Sequence, residues 1–341
     1  MTSPDKNLDH IQNTFAIVQV PTNVRVSKRL EQLPFLRRFS HRVIGLGWLP
    51  AEGCFLYRNR DEEKRVSFNG RNLQFHALYD QCYAHGYELE SAVLMMVLCK
   101  GKDAFFDIGS NWGYFSLLMA SAEEFAGPIY AFEPNPRTFA DLTSVIRQAG
   151  TESRVMAMNL GIGETTCQMT LEETDSFKTG LARLSNSGKG MEISVKPLDE
   201  LNLPPPRMVK IDAEGMEADV MAGFGRTLDE IRPLVLFENF SNPLNPAETC
   251  RPFEILQAKG YRLFAPALLF RKAGYLVPAT YGGNFDDLLR HDPKPQLGLF
   301  ELTVQNRFFL PPQLNILAIH STRVQELWDT GLVDLAKTTF P

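Results

Sequence analysis

The segment Phe105-Phe106-Asp107-Ile108-Gly109-Ser110-Asn111-Trp112-Gly113-Tyr114-Phe115 constrains the fold more than any other stretch of this 341-residue chain. An apolar run ends there in an acidic turn with two glycines and passes into a helical pattern. An α/β sheet makes room for a nucleotide in this way: glycine lets backbone approach a ligand closely, and a helix that starts at the turn presents N–H groups to it. A second apolar run, Ile129-Tyr130-Ala131-Phe132, ends in Glu133-Pro134-Asn135. Glu133 lies 24 residues beyond Gly109, close to the offset at which an acidic side chain meets a ribose diol.

Strand and helix patterns alternate through the region that follows, as expected of a mostly parallel sheet with helices on both faces. Core strands are expected at 104–108, 129–132, 154–160, 208–211, 233–237, 261–265 and 314–319. Helices are expected at 87–98, 112–122, 136–149, 216–224 and 252–259, where apolar residues recur at helical spacing. These runs make a seven-stranded α/β domain over residues 86–325. Residues 1–85 read as a strand- and hairpin-rich extension, with strand-like runs at 42–49, 54–58 and 65–68 and a turn signal at Asn69-Gly70. Residues 164–195 read as a hairpin or lid, 270–309 as a second insertion in position to border a cleft, and 326–341 as a C-terminal tail.

The turn after the first core strand lacks the middle glycine of Gly-x-Gly-x-x-Gly, and no second nucleotide half follows, which disfavours a dehydrogenase. Asp107-x-Gly109-x-x-x-Gly113, followed by a strand ending in Glu133, resembles the S-adenosylmethionine turn of Rossmann-like methyltransferases. A third segment, Lys210-Ile211-Asp212-Ala213-Glu214-Gly215-Met216-Glu217, narrows the resemblance to the FkbM family of methyltransferases. It covers residues 86–240 well and the remainder poorly. The resemblance implies a class I methyltransferase fold, S-adenosylmethionine as cofactor and, as acceptor, a hydroxyl of a sugar or related metabolite.

On that reading the cofactor lies on Asp107, Gly109, Ser110, Asn111, Gly113, Glu133 and Asn135. Asp107 would meet the methionine amino group and Glu133 the ribose hydroxyls, since a carboxylate accepts both. A hydroxyl needs a base or a metal to become a nucleophile. Asp212 ends the fourth strand facing the methyl group, and Lys210, two residues earlier, points to the same side. Asp212, Lys210 and Glu214 are the catalytic candidates. Glu217, at the start of a helix, reads equally well as a group that complements the helix dipole. Asp212 with Glu238 and Asn239 also resembles, in position and ligand type, the Mg²⁺ site of catechol O-methyltransferase-like enzymes. The Glu at 238 and the loop after Asp212 depart from that pattern, so a metal is not favoured. His76 and His85 lie where they would reach the cleft, whereas His320 follows an antiparallel last strand and leaves at the opposite end.

A net charge of −5 gives no general attraction to nucleic acid. Five scattered cysteines without a Cys-x-x-Cys read as reduced thiols and disfavour a zinc site or disulfide framework, in keeping with a cytoplasmic protein. No membrane-spanning run or signal-peptide core is read in the sequence. Residues 25–42 carry Arg25, Lys28, Arg29, Arg37, Arg38 and Arg42 against one acid, Glu31, interleaved with apolar side chains. This is either an interfacial segment that meets anionic lipid or a solvated basic face whose apolar residues pack on the main domain. The second is the expectation. Two other functions compete with O-methylation. One is N-methylation of an amino sugar or protein side chain; the Asn/Asp-Pro-Pro-Tyr signature of base and glutamine methylation is absent after Asp212. The other is a Rossmann-like module that binds the cofactor without catalysis.

Overall fold

The computed structural model describes residues 4–60, 62–80, 85–172, 183–185, 190–272, 275–279 and 285–335. Among the described residues, seventeen strands form three sheets. The first is antiparallel and N-terminal: β1 (Phe15–Gln19), β2 (Glu52–Asn59) and β3 (Glu62–Asn69). The central sheet has ten strands. Five are parallel and lie in the order β6 (Val155–Met158), β5 (Ile129–Phe132), β4 (Ala104–Ile108), β11 (Pro206–Ile211) and β12 (Leu234–Phe240). β16 (Gln313–His320) then runs antiparallel between β12 and β13 (Tyr261–Lys272). This is the seven-stranded Rossmann-like core expected from sequence, with its last strand reversed.

Three further strands make the sheet wider than expected. β14 (Tyr275–Ala279) and β15 (Gln296–Leu302) pair with β13, and β17 (Val333–Asp334) pairs with β15. β13 is twice the expected length because its apolar run continues through Pro266 to Phe270. The 270–309 region therefore extends the far edge of the sheet, and none of its described residues lines the cavity discussed below. Likewise 326–335 is no tail, since it contributes a helix over Gln325–Asp329 as well as β17; residues 336–341 lie outside the described set. The third sheet, β7 (Gly161–Ile162), β8 (Cys167–Glu172), β9 (Arg183–Ser185) and β10 (Met191–Lys196), contains the hairpin expected within 164–195, although 173–182 and 186–189 are not described.

The N-terminal region is more helical than its turn signals suggest, with α1 (Pro4–Thr14), α2 (Thr22–Glu31) and α3 (Ser40–Ile44). The strand expected at 42–49 is instead the end of α3 and a turn. The segment folds back on α2, where Ser27 Oγ donates to the Ser40 carbonyl at 3.0 Å and Asn23 Nδ2 to that of Ile44 at 3.0 Å. Asn69-Gly70 ends β3, and the hairpin turns between Asn59 and Glu62. Leu33, Phe35 and Phe39, expected to pack inward, are exposed, as is Trp48.

Residues 1–85 share one core with the domain that follows. Leu8, Phe55, Val66 and Phe75 belong to the same buried cluster as Leu117, Leu118 and Leu142. Phe15 stacks on Tyr114 and Phe75 on Trp112, both at 4.8 Å between ring centroids. Gln148 exchanges two hydrogen bonds with the backbone of Ser67, at 2.8 and 3.0 Å.

Three helices set the site. α4 (Leu89–Leu98) and α5 (Tyr114–Ser121) are buried along their whole length and read as apolar runs, not amphipathic stripes. α6 (Pro136–Ala149) is amphipathic and fully capped: Asn135 accepts from the Arg137 amide, Pro136 opens the first turn, and Gly150 closes the helix at φ +68°. Pro252 lies inside a helix over Pro246–Ala258 that starts six residues before the expected position, because Asn245 supplies its cap.

Candidate active site

A cavity of about 590 Å³ opens beyond the carboxyl ends of β4, β5, β11 and β12. Strand order reverses between β4 and β11, and open α/β sheets place ligands at such a point. Residues 22–44 and 73–80 close the opposite wall with Val24, Ser27, Ile44, Leu73, His76 and Tyr79. The N-terminal extension, whose role is not legible in the sequence, thus supplies one wall of the enclosure.

Asp107 ends β4 and is 1% exposed. Ser116 Oγ donates to its Oδ2 at 2.6 Å, while Oδ1 is buried with no partner. Burial raises its pKa above the usual carboxylate range, opposed by Lys210 and by the Ser116 bond. Glu133 ends β5. Its Oε2 accepts the Asn111 amide at 3.0 Å and its Oε1 the Asn135 amide at 2.8 Å, so one carboxylate ties the two loops together. Burial nevertheless pushes Glu133 up to about 7.

The loop between Asp107 and Tyr114 differs from expectation in one respect. Its amides do not point at a ligand. Gly109 and Ser110 donate to the Phe132 carbonyl, Asn111 to Glu133, Trp112 to Asn111 Oδ1 and Gly113 to the Ser110 carbonyl. The glycines serve backbone shape: Gly109 and Gly113 sit at φ +76° and +95°. A Cβ on Gly109 would lie 1.8 Å from the Asp212 carbonyl oxygen, so close chain packing also demands glycine there.

Asp212, Lys210 and Glu214 all line the cavity, as expected. Lys210 is 3% exposed at its side chain, and its Nζ lies 3.3 Å from Asp212 Oδ2 and 4.5 Å from the Phe115 ring centroid. Burial would discharge Lys210. Neighbouring carboxyl groups, Asp212 first and then Glu88 and Asp107, outweigh burial and raise its pKa above the ordinary lysine range. It is a fixed cation. Glu217 is not a cavity group: its Oε1 accepts the Ala213 and Gly215 amides at 3.2 and 3.1 Å and holds the loop after β11.

Glu238 and Asn239 are neighbours on β12 and so face opposite sides. Glu238 lines the cavity, bonded by Gln313 Nε2 from β16. Asn239 points away, where its Oδ1 accepts Arg307 Nε at 2.6 Å and its Nδ2 donates to the Thr249 carbonyl at 3.0 Å. The structure therefore does not bring Asp212, Glu238 and Asn239 together as a metal site. Burial, with Asp212 and Glu88 nearby, pushes Glu238 up to about 9, leaving it protonated at neutral pH.

The folded protein thus holds the Glu238 proton where the unfolded chain, with an ordinary value of 4.5, has released it. Glu238 therefore contributes a loss of stability that grows as pH rises from 4.5 towards about 9 and is constant above. Denaturant melts across this range should show stability falling with pH, and Glu238→Gln, which keeps a partner for Gln313, should flatten the fall. An unchanged slope in the variant would place the titration elsewhere.

Glu88, which sequence reasoning missed, does not line the cavity but acts on the site through Lys210. It precedes α4 at φ +43°, is 3% exposed, and accepts Asn315 Nδ2 of β16 at 3.0 Å. Burial raises it to about 7 against the pull of Lys210. The available signal was an acid beside a helix with no polar face, since such a carboxylate must be buried. His76 lines the cavity with Nδ1 2.7 Å from the Leu73 carbonyl, whereas His320 lies outside it. Met221 is core and Met216 reaches the cavity wall.

Comparison with known proteins places this geometry. Residues 107–263 match the model of the methyltransferase FkbM domain. Hexuronic acid methyltransferase AglP from Haloferax volcanii is 28% identical over 148 residues, 42% of this chain; the chain spans 59% of that relative's length. Among solved structures, methyltransferase FkbM from Methylobacillus flagellatus is 20% identical over 48% of this chain and 39% of that one, with a TM-score of 0.36. An S-adenosylmethionine-dependent O-methyltransferase from Thermotoga maritima is 11% identical over 78% of this chain and 77% of that one, with a TM-score of 0.37. The matched residues begin at Asp107 and run through Glu133, Lys210, Asp212 and Glu238, so the part of the chain that builds the cavity floor is similar to the methyltransferase FkbM domain.

Proposed function

We propose that the protein transfers a methyl group from S-adenosylmethionine to a hydroxyl of a sugar or sugar acid. The observation that carries this reading is the convergence of Asp107, Glu133 and Asp212, from the ends of three adjacent parallel strands, on one cavity. The residues present fit the cofactor. Asp107 Oδ1, buried and without a partner, suits an ammonium group. Glu133 keeps lone pairs on both oxygens beyond its two amide bonds, enough to accept a ribose diol. Asn135 Nδ2 is a buried donor without a partner in the same wall. A lining richer in carboxyl groups than in cations favours a ligand that carries sulfonium and ammonium charge.

When bound, S-adenosylmethionine supplies an electrophilic methyl group. The protein must then align a hydroxyl behind that methyl and take up one proton. Asp212, with a quarter of its side chain exposed, is placed to take the proton. Lys210 remains charged and so acts by holding the Asp212 carboxylate, not as a base. Glu214, two residues on, faces the cavity and would accept a second acceptor hydroxyl. A sugar as acceptor agrees with the relative named for a hexuronic acid.

Incubation with methyl-labelled cofactor and a panel of hexose and hexuronic acid glycosides tests this reading. Label is expected in an alkali-stable methyl ether. Label on nitrogen, or tight cofactor binding with no transfer to any acceptor, would replace it with one of the two competing functions. Glu133→Ala should weaken S-adenosylhomocysteine binding by about 1–3 kcal/mol, the loss expected for a charged acceptor. Calorimetry that finds equal affinity would remove Glu133 from the ribose site.

A further inference from the structure

The basic stretch over residues 25–42 runs into a cluster of uncovered apolar side chains. Between α2 and the turn after α3, Phe35 is 74% and Trp48 75% exposed, with Leu33, Phe39 and Leu46 between 36 and 51%. Single exposed apolar residues are ordinary, but five within sixteen positions are a patch. Arg25, Arg29, Arg37, Arg38 and Arg42 are exposed on the same segment, whose one acid is Glu31. Arg42 lies 5.8 Å from the Phe39 ring centroid, so charge and apolar surface are interleaved and not separated.

We propose that this face, Leu33 to Trp48 with its arginines, docks the protein on an anionic lipid bilayer. Charge complementarity selects the occupant. Aromatic and leucine side chains beside arginines are the composition that settles at the headgroup boundary, where apolar groups leave water while cations stay with lipid phosphates. Phe35 and Trp48 protrude, as three-quarter exposure requires, and do not line a groove. A soft interface accepts such side chains without a matching shape, whereas a protein partner would have to supply one. The segment is also continuous with the active site, because Val24, Ser27 and Ile44 on the inner side of the same two helices line the cavity. Docking would set that wall of the cavity close to the membrane surface.

Co-sedimentation of the full chain with phosphatidylcholine vesicles, with and without phosphatidylserine, tests the proposal and requires no turnover. At low salt at least about tenfold more protein is expected on the anionic vesicles, given about 1 kcal/mol for each cation near the surface, and high salt should release most of it. Phe35→Ser with Trp48→Ser, and separately Arg37→Glu with Arg38→Glu, should each lower binding about tenfold or more. Both variants should keep wild-type affinity for S-adenosylhomocysteine and an unchanged melting temperature, which shows that they fold. Absence of vesicle binding, equal binding to neutral and anionic vesicles, or variants that bind like wild type would overturn the proposal. So would a concentration-dependent dimer dissolved by the same substitutions in a protein that ignores vesicles, which would assign the face to a second copy of the chain.

Discussion

Asp212→Asn is expected to lower kcat by about 10² or more, the usual loss with a general base, while S-adenosylhomocysteine binding stays within about twofold. The separation follows from where the carboxylate sits. Asp212 lies at the end of β11, whereas the ribose and ammonium contacts proposed for the cofactor come from β4 and β5. Asn is isosteric and keeps an acceptor oxygen towards Lys210, so the cation retains a contact as well as its other carboxyl neighbours. What the variant loses is a site for the acceptor's proton. The loss should therefore fall on kcat more than on KM. A chelator added to the wild-type enzyme should leave the rate unchanged, because Asn239 is held by Arg307 and Thr249 on the far face of β12. Turnover of the variant within a few-fold of wild type would reduce Asp212 to a strand end. Loss of activity on chelation with recovery on added Mg²⁺ would restore the metal reading.

Gly109→Ala should be the most damaging single substitution of a small residue in the domain. Its Cβ would meet the carbonyl oxygen and carbon of Asp212 at 1.8 and 2.8 Å, backbone atoms with no rotamer to yield. The loops after β4 and β11 are clasped at this point, since the Asp212 amide donates to the Ile108 carbonyl at 2.9 Å. Left-handed strain of about 1–3 kcal/mol and overpacking of about 1–3 kcal/mol act together, so roughly 2–6 kcal/mol of stability should go. Cofactor binding should go with it. Gly101→Ala isolates the strain alone: φ there is +93° and the added methyl would meet nothing within 4 Å. Equal destabilisation of the two variants, measured by denaturant unfolding, would show that the loops can part without penalty.

The sequence exposes those parts of the site whose causes are local. β4, β5 and the C-terminal half of β11 are short apolar runs bounded by turn residues, and Asp107, Glu133 and Asp212 stand at their ends by position alone. The topology was legible for the same reason, as strands and helices alternate from 104 onward. What escaped was non-local. Glu88 comes to act on the site because α4 is buried on every side and Asn315, more than two hundred positions away, reaches its carboxylate. The wall formed by residues 22–44 and 73–80 depends on aromatic packing between Phe15, Phe75, Trp112 and Tyr114, which no spacing records. The 42–49 stretch reads as a strand by composition but is claimed by hydrogen bonds from α2. The amides of the glycine turn are not free as expected, because Phe132 and Glu133 at the end of the neighbouring strand accept three of them and the turn's own Ser110 and Asn111 accept the other two.

The closed turn also bears on what the cavity accepts. A turn whose amides stood open would be an anion receptor, and any nucleotide with a phosphate chain would compete for it. Here the five amides from Gly109 to Gly113 are closed within the fold, and the cavity lining at the ends of β4, β5 and β11 is richer in carboxyl groups than in cations. Abundant cellular triphosphates and dinucleotides share the adenosine of S-adenosylmethionine but would bring negative charge against Asp107 and Glu133.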